Sequence, residues 1–185
     1  QGIPFEVCGK IIVASEEQER GALEKIYQRG LENGLSGIRK ITAAEARDIE
    51  PNVQAVEAVH VPQAGIVDYG MVARRYAELL REQGADILTG QRVVALHRQP
   101  DEVLVASEHA EFRTRLFVNC AGLYSDHLAR LSGEQLDVQI LPFRGEYYEL
   151  CPERTQLVRH LIYPTPNPNF PFLGVHFTRM IHGGI

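Results

Sequence analysis

The chain has 185 residues, of which 44% are hydrophobic and 23% charged, an ordinary balance for a globular protein that can bury a core. Its net charge of -5, without any Lys/Arg-rich run, argues against a nucleic-acid partner, because phosphate binding requires a basic surface. No apolar run approaches the roughly 20 residues of a transmembrane helix, and the three separated cysteines, without a CxxC pair, favour free thiols over a zinc site or a disulfide framework.

The first 83 residues predict strands that alternate with helices. Ser15 precedes an acidic first turn, and Thr42 forms a capping box with Glu45, so each of the two predicts a helix start. Asp68 can cap a third helix, whose apolar residues share one face. The predicted elements are a strand over 7–14, a helix over 15–34, a short helix from Thr42 to before Pro51, a strand over 53–61 and a helix over 69–83.

The remaining residues predict more strand than helix. The predicted elements are strands over 87–97, 103–107 and 112–119, a helix over 123–131, a long strand over 138–150, an irregular proline-rich loop over 163–172 and a strand over 173–178. Residues 99–101 predict a hairpin turn between the first two of these strands. Long strands with single helices, and no regular βαβ rhythm, predict an α+β fold with a mixed or antiparallel sheet and flanking helices.

One segment has the pattern of a nucleotide-binding turn. In 117–126 (FVNCAGLYSD) an apolar strand leads through small residues into a helix. Small residues allow a ligand to approach the main chain, and the first amides of a helix can face a phosphate. The spacing alone favours the alternative, a tight strand-to-helix turn in which Gly122 only permits the geometry.

Two further segments carry side chains that suit an acidic substrate. In 142–150 (PFRGEYYEL), Arg144 and Tyr147 could line a pocket for a carboxylate; alternatively Arg144 pairs with a neighbouring glutamate and Tyr147 is a core residue. In 171–179 (PFLGVHFTR), His176 could act as a base or hydrogen-bond donor, as could His60 in the earlier strand. A lone histidine in a strand is more often structural, and this is the alternative for both. None of the seven histidines forms an HxH or HExxH pattern, so no metal site is predicted.

Together these segments resemble the L-2-hydroxyglutarate oxidase/dehydrogenase family, within the D-amino-acid-oxidase-like flavoproteins. The matching segments follow the family's order, and they are 5–10 (FEVCGK), 64–69 (AGIVDY), 118–126 (VNCAGLYSD), 142–148 (PFRGEYY), 162–164 (IYP) and 171–178 (PFLGVHFT). The family's GxGxxG loop is absent from the chain, and His182 stands where the family pattern has an acidic residue. Gln1 in place of an initiator Met, and a sequence that stops within an expected strand or turn, predict an internal fragment.

The resemblance implies a domain organisation and a set of site residues. Residues 1–83 and 136–185 would belong to the substrate domain, and 84–135 to the trailing part of the FAD-binding α/β domain. The substrate dianion requires cations and polar donors, for which the candidates are His176, His60, Arg144, Tyr147 and Arg179. Main-chain contacts with FAD would come from Arg92, Val93, Val94, Asn119, Cys120, Ala121 and Gly122.

The implied reaction is hydride transfer from L-2-hydroxyglutarate to FAD, followed by electron transfer to oxygen or a quinone. The resemblance implies a cytoplasmic protein and leaves peripheral association with the inner membrane open. An enzyme that oxidises an amine of the sarcosine or glycine type, or glycerol 3-phosphate, is the alternative, and a binding module without activity is a third hypothesis. Because the GxGxxG loop is missing, we expect this chain by itself to bind FAD weakly or not at all and to be inactive.

Overall fold

The computed structural model describes residues 2–167, 169, 172 and 174–185, and these form two compact units. The first unit, here called the sheet unit, combines the residues up to Glu78 with Tyr148–Ile185. The second, here called the hairpin unit, is Leu79–Tyr147. These are units of packing, and the assignment of segments to a substrate domain and a FAD-binding domain stays a prediction.

The sheet unit is built on a four-stranded mixed sheet. In chain order its strands are β2 (Lys10–Ala14), β3 (Arg39–Thr42), β4 (Glu57–Val61) and β9 (Leu161–Pro164). The spatial order is β3-β4-β2-β9, with β2 antiparallel to β4 and parallel to β9. A separate antiparallel pair joins β1 (Phe5–Glu6) to β5 (Ile66–Val67).

Both faces of the four-stranded sheet carry apolar side chains, so helices can pack on each of them. Helix α1 (Arg20–Glu32) buries Leu23 against one face, where Ala14, Val59 and Val61 lie. The short helix α2 (Ala43–Ile49) buries Ala46 against the other, beside Ile11, Val13, Ile41 and Ala58. Full burial of a side chain of the size of leucine or isoleucine stabilises the fold by about 1.5–3 kcal/mol.

Two of the three predicted helix starts are confirmed, whereas Ser15 caps no helix: a 3-10 turn over Glu17–Glu19 follows Glu16, and α1 begins at Arg20. The Thr42 side chain accepts the amide of Glu45, whose carboxylate accepts the amide of Thr42 in return, which completes the predicted capping box. Asp68 accepts the amides of Gly70 and Met71 at the start of α3 (Tyr69–Glu82), again as predicted.

The hairpin unit contains a three-stranded antiparallel sheet and a short helix. Its strands are β6 (Val93–Arg98), β7 (Val103–Ser107) and β8 (Glu111–Thr114), in that spatial order, and its helix is α4 (Ser125–Leu131). The predicted turn between β6 and β7 is confirmed, with the amide of Gln99 donating to the carbonyl of Glu102 at 2.8 Å. The α+β fold class predicted from the sequence is confirmed by this combination of mixed and antiparallel sheets with flanking helices.

Several predicted strands are shorter in the structure, and one is wrong. Residues 138–150 form no strand within the described chain and are largely exposed. A strand requires a neighbour for its hydrogen-bond ladder, and the local sequence does not supply one. Residues 85–92 and 115–119 likewise lie outside the ladder of β6 to β8, and 53–56 precede β4. Strand β3, with Ile41 as its only buried residue, was not predicted.

The proline-rich region differs from the prediction at its start. Leu161–Pro164 is a regular strand, β9, because its residues pair with β2 up to Val13. Leu173, where the last predicted strand begins, lies outside the described residues, as do positions 168, 170 and 171; from 174 to 178, one antiparallel bridge joins Phe177 to Ile162. In the part of the chain that the structure describes, no helix has the length and apolarity to cross a bilayer.

Candidate active site

His60 lies on the face of the four-stranded sheet that α2 partly covers. It is opposite Ile11 on β2 and Arg39 on β3, so the three side chains share that face. Burial lowers the pKa of the His60 imidazole, and the neighbouring Arg39 and His160 lower this pKa further. His60 is therefore a neutral imidazole near neutral pH, able to accept or donate one hydrogen bond.

A second histidine, which the sequence analysis did not select, lies beside His60. The rings of His60 and His160 meet edge to face, with centroids 6.5 Å apart and an interplanar angle of 80°. His160 directly precedes β9, and its Nδ1 lies 2.9 Å from Oε1 of Glu50. No pattern in the sequence connects Glu50 with a residue 110 positions later, since only the pairing of β2 with β9 brings them together.

His176 lies on the opposite side of the same sheet. Its ring packs against Tyr163 with centroids 4.8 Å apart, and its Nδ1 is 3.0 Å from the carbonyl of Gly174. Tyr163 pairs with Ile12, whereas His60 pairs with Ile11, and successive strand residues point to opposite faces. The two histidines singled out in the sequence are therefore not brought together.

Arg179 already has an acidic partner. Its Nη1 donates to Oε1 of Glu6 at 2.8 Å and to the carbonyl of Arg159 at 3.0 Å. Arg159, Arg179 and Met180 line a cleft of about 650 Å³ in the sheet unit. A substrate carboxylate in this cleft would have to compete with Glu6 for the guanidinium group.

Arg144 and Tyr147 are exposed residues of the hairpin unit. The Arg144 side chain is 87% exposed and lies 3.3 Å from Glu146, which is the local pairing considered from the sequence. Tyr147 is 84% exposed, so it is not a core residue of the described chain. Their roles in binding a substrate stay predictions.

The residues predicted to contact FAD also belong to the hairpin unit. Arg92 is an exposed residue 3.7 Å from Glu108, and it precedes Val93 and Val94 at the start of β6. The Asn119 side chain bridges the turn that precedes α4: its Oδ1 accepts the amide of Ala121, and its Nδ2 donates to the carbonyl of Ser125. Helix α4 contacts β6, so the two segments lie on neighbouring elements.

The main chain at Gly122 fits close approach by a nucleotide. Gly122 has a φ of +56°, and no heavy atom lies within 4 Å of where a Cβ would be, so the space beside it is open. Cys120 is exposed and Ala121 only partly covered, which leaves that turn accessible. These residues therefore fit a flavin nucleotide held through main-chain contacts, whereas a metal ion has no comparable site: the described residues contain no group of three or more His, Cys, Asp or Glu placed to hold one.

Comparison with known proteins gives a consistent set of relatives. A family model described as FAD dependent oxidoreductase matches residues 1–185. The L-2-hydroxyglutarate dehydrogenase of Indibacter alkaliphilus is 48% identical over 186 residues, which cover 100% of this chain and 47% of that protein. The mitochondrial L-2-hydroxyglutarate dehydrogenase of Mus musculus is 42% identical over 197 residues, which cover 100% of this chain and 42% of that protein.

Solved structures share the fold at lower identity. The L-alpha-glycerophosphate oxidase of Mycoplasma pneumoniae with FAD bound has a TM-score of 0.79 at 22% identity, covering 99% of this chain and 49% of that one. The L-proline dehydrogenase of P. horikoshii has a TM-score of 0.76 at 17% identity, covering 99% and 48%. The chain thus spans about half the length of the relatives it matches.

Proposed function

Since the chain belongs to the FAD-dependent oxidoreductase family, we propose that it is part of an enzyme that oxidises L-2-hydroxyglutarate to 2-oxoglutarate. The observation that carries this proposal is the 48% identity, over the whole chain, to a protein named L-2-hydroxyglutarate dehydrogenase. When bound, the flavin accepts the hydride that leaves C2 of the substrate. The residues of this chain bind and orient the substrate and take up the hydroxyl proton.

The substrate carries two carboxylates, so its site requires cationic and hydrogen-bonding side chains. Arg179 is the candidate guanidinium in the sheet unit, where its ion pair with Glu6 keeps the fork oriented. In the hairpin unit, Arg144 and Tyr147 are the candidates proposed from the sequence, a guanidinium and a phenol on an accessible segment. His60 and His176 are the imidazoles proposed from the sequence to accept the hydroxyl proton, each on its own face of the sheet.

FAD would be held mainly through main-chain atoms of the hairpin unit. The open space beside Gly122 and the exposed turn at Cys120 support contacts there, and Arg92, Val93 and Val94 are the proposed second contact. We expect the 185-residue chain by itself to retain little FAD, because its sequence contains no GxGxxG loop to cradle the pyrophosphate. Incubation with FAD followed by desalting should leave no stoichiometric flavin absorbance.

The remaining proposed partners are an electron acceptor and a membrane surface. The reduced flavin would pass its electrons to oxygen or to a quinone, and the second acceptor would bring the enzyme to a membrane surface as a peripheral protein. A cytoplasmic location with peripheral association at the inner membrane is consistent with that acceptor.

The test is anaerobic reduction of the flavin in a full-length protein that carries this segment. L-2-hydroxyglutarate should bleach the oxidised flavin spectrum, and the D isomer should not. Sarcosine, glycine and glycerol 3-phosphate form the matched panel, because the fold is shared with enzymes of different substrates. Bleaching by one of these three, and none by L-2-hydroxyglutarate, would replace the proposed substrate with that compound.

A further inference from the structure

Glu50 is a buried carboxylate that the proposed function does not use. It directly follows α2, is 0% exposed, and accepts with Oε1 from the amides of Arg159 and His160. Its other oxygen, Oε2, has no hydrogen-bond partner among the described residues. Burial of a carboxylate with one oxygen unpaired is costly, so a purely apolar residue at this position would be the simpler choice for packing.

The same oxygen of Glu50 fixes the tautomer of His160. Oε1 already accepts two main-chain N–H groups and acts as an acceptor at this point, so Nδ1 of His160, 2.9 Å away, carries the hydrogen. A neutral imidazole has one N–H and one unprotonated nitrogen. In the neutral form of His160, Nε2 is therefore the unprotonated nitrogen and is the ring atom that accepts a proton.

Nε2 of His160 lies beside Gly9, on the same side as Nε2 of His60. A Cβ placed on Gly9 would lie 3.8 Å from Nε2 of His160 and 3.7 Å from Nε2 of His60, so both nitrogens surround one point. The same Cβ would lie 3.0 Å from Cδ2 of His160, which only glycine avoids. The His160 side chain is 27% exposed, so the site is partly covered but can be reached from outside.

We propose that His160 accepts the C2 hydroxyl proton of the substrate through Nε2, and that Glu50 is the positioning residue that holds the ring and keeps the hydrogen of the neutral imidazole on Nδ1. This inference rests on the proposed function. The O–H proton moves to Nε2, and the O–H electron pair becomes the second bond of the C2 carbonyl. The C2–H bond breaks with its electron pair leaving as hydride to the oxidised flavin, so the products are the 2-oxo acid, reduced flavin and an imidazolium.

His160 is favoured over the two histidines chosen from the sequence because of its carboxylate partner. An imidazole that becomes protonated is stabilised by an adjacent carboxylate, and that carboxylate also fixes the ring. Nδ1 of His176 faces a main-chain carbonyl instead. His60 lies beside Arg39, whose charge disfavours a second cation. His60 then serves as a neutral hydrogen-bonding neighbour of the reacting oxygen.

The first test is spectroscopic and requires no activity. The chain is labelled with ¹⁵N-histidine, and the nitrogen shifts of His160 are measured near neutral pH, with assignment by the loss of signals in His160→Ala. The expected result is a protonated Nδ1 and an unprotonated Nε2, with the two tautomers mixed in Glu50→Gln. A His160 with protonated Nε2, or one unaffected by Glu50→Gln, overturns the proposal.

The second test measures the rate of flavin reduction in the full-length enzyme. His160→Ala should lower kcat by about 10²- to 10⁴-fold, the usual contribution of a general base, with KM nearly unchanged and partial rescue by imidazole in the buffer. Glu50→Gln should lower kcat by about 10- to 100-fold, as is typical of residues that orient a functional histidine. His109→Gln, an exposed histidine between β7 and β8, is the matched control and should behave as wild type.

The outcomes separate this inference from the proposed function. If L-2-hydroxyglutarate fails to reduce the flavin of the wild-type enzyme, both the proposed function and the role of His160 in it are wrong. If the wild type is active and His160→Ala keeps the wild-type kcat, only the present inference is overturned. If His160→Ala lowers both kcat and thermal stability, and imidazole does not restore kcat, His160 has a structural role. That outcome also overturns the present inference.

Discussion

Replacing Gly9 with alanine should strain the main chain and should also disturb the adjacent imidazole rings of His60 and His160. Gly9 has a φ of +76°, and Gly34, at the end of α1, has a φ of +74°. An L-residue in this left-handed region costs about 1–2 kcal/mol. Gly34→Ala is therefore the matched control, because no heavy atom lies within 4 Å of its added Cβ.

The extra cost at Gly9 comes from the added contact. The new Cβ would lie 3.0 Å from Cδ2 of His160, so the ring must shift. The main chain cannot easily yield instead, because the Gly9 amide donates to Ala64 at 2.8 Å and the Gly9 carbonyl accepts from Leu161 at 3.2 Å. Overpacking of this kind costs about 1–3 kcal/mol. We therefore expect Gly9→Ala to lose roughly 2–5 kcal/mol in total, and Gly34→Ala roughly 1–2 kcal/mol.

Urea unfolding of the two variants and the wild type, followed by circular dichroism, measures both losses on one scale. The midpoints should shift at a common slope, since neither change alters the surface exposed on unfolding. The ¹⁵N shifts of His160 should move in Gly9→Ala and stay at wild-type values in Gly34→Ala. Equal losses of stability in the two variants, with unchanged His160 shifts, would refute the close contact between Gly9 and His160.

Three further outcomes follow from burial and charge. Leu23→Ala should lower the free energy of unfolding by about 2–5 kcal/mol, because this 0% exposed side chain fills the interface between α1 and the sheet. The amide and hydroxyl of Thr42 hold the pKa of Glu45 below its ordinary value, so Glu45→Gln should destabilise α2 at neutral pH and lose its effect as the pH falls through that lowered pKa. Burial raises the pKa of the Cys8 thiol, so iodoacetamide should alkylate Cys8 more slowly than the exposed Cys120.

Each of these outcomes has its own control. Leu80→Ala, at a side chain that is 48% exposed on α3, should change the urea midpoint far less than Leu23→Ala. For the capping box, the control is the pH dependence of the stability difference between the wild type and Glu45→Gln. If this difference grows on acidification, the Glu45 carboxylate does not stabilise α2. For the thiols, mass spectrometry after timed alkylation gives the order, and faster modification of Cys8 than of Cys120 or Cys151 contradicts its burial.

The helices were predictable from the sequence because their signals are local. The Thr42–Glu45 capping box and the Asp68 cap act within one turn, and the apolar spacing of 69–83 lies on one helix. The short hairpin through residues 99–101 is local in the same sense. The family resemblance was also a property of the sequence, since its segments occur in order along the chain and the family model matches all of it.

The sheet pairing and the paired imidazoles were decided only by tertiary structure. Residues 138–150 are rich in apolar and aromatic residues, which predicts a strand, yet without a neighbouring strand they form none in the described chain. Conversely, β9 is a strand because β2 lies beside it. That parallel pairing places His160 next to Glu50, 110 positions away in sequence, and next to His60. His176 instead packs against Tyr163 on the opposite face. A sequence specifies which side chains are present, but hydrogen bonds between distant strands determine which of them meet.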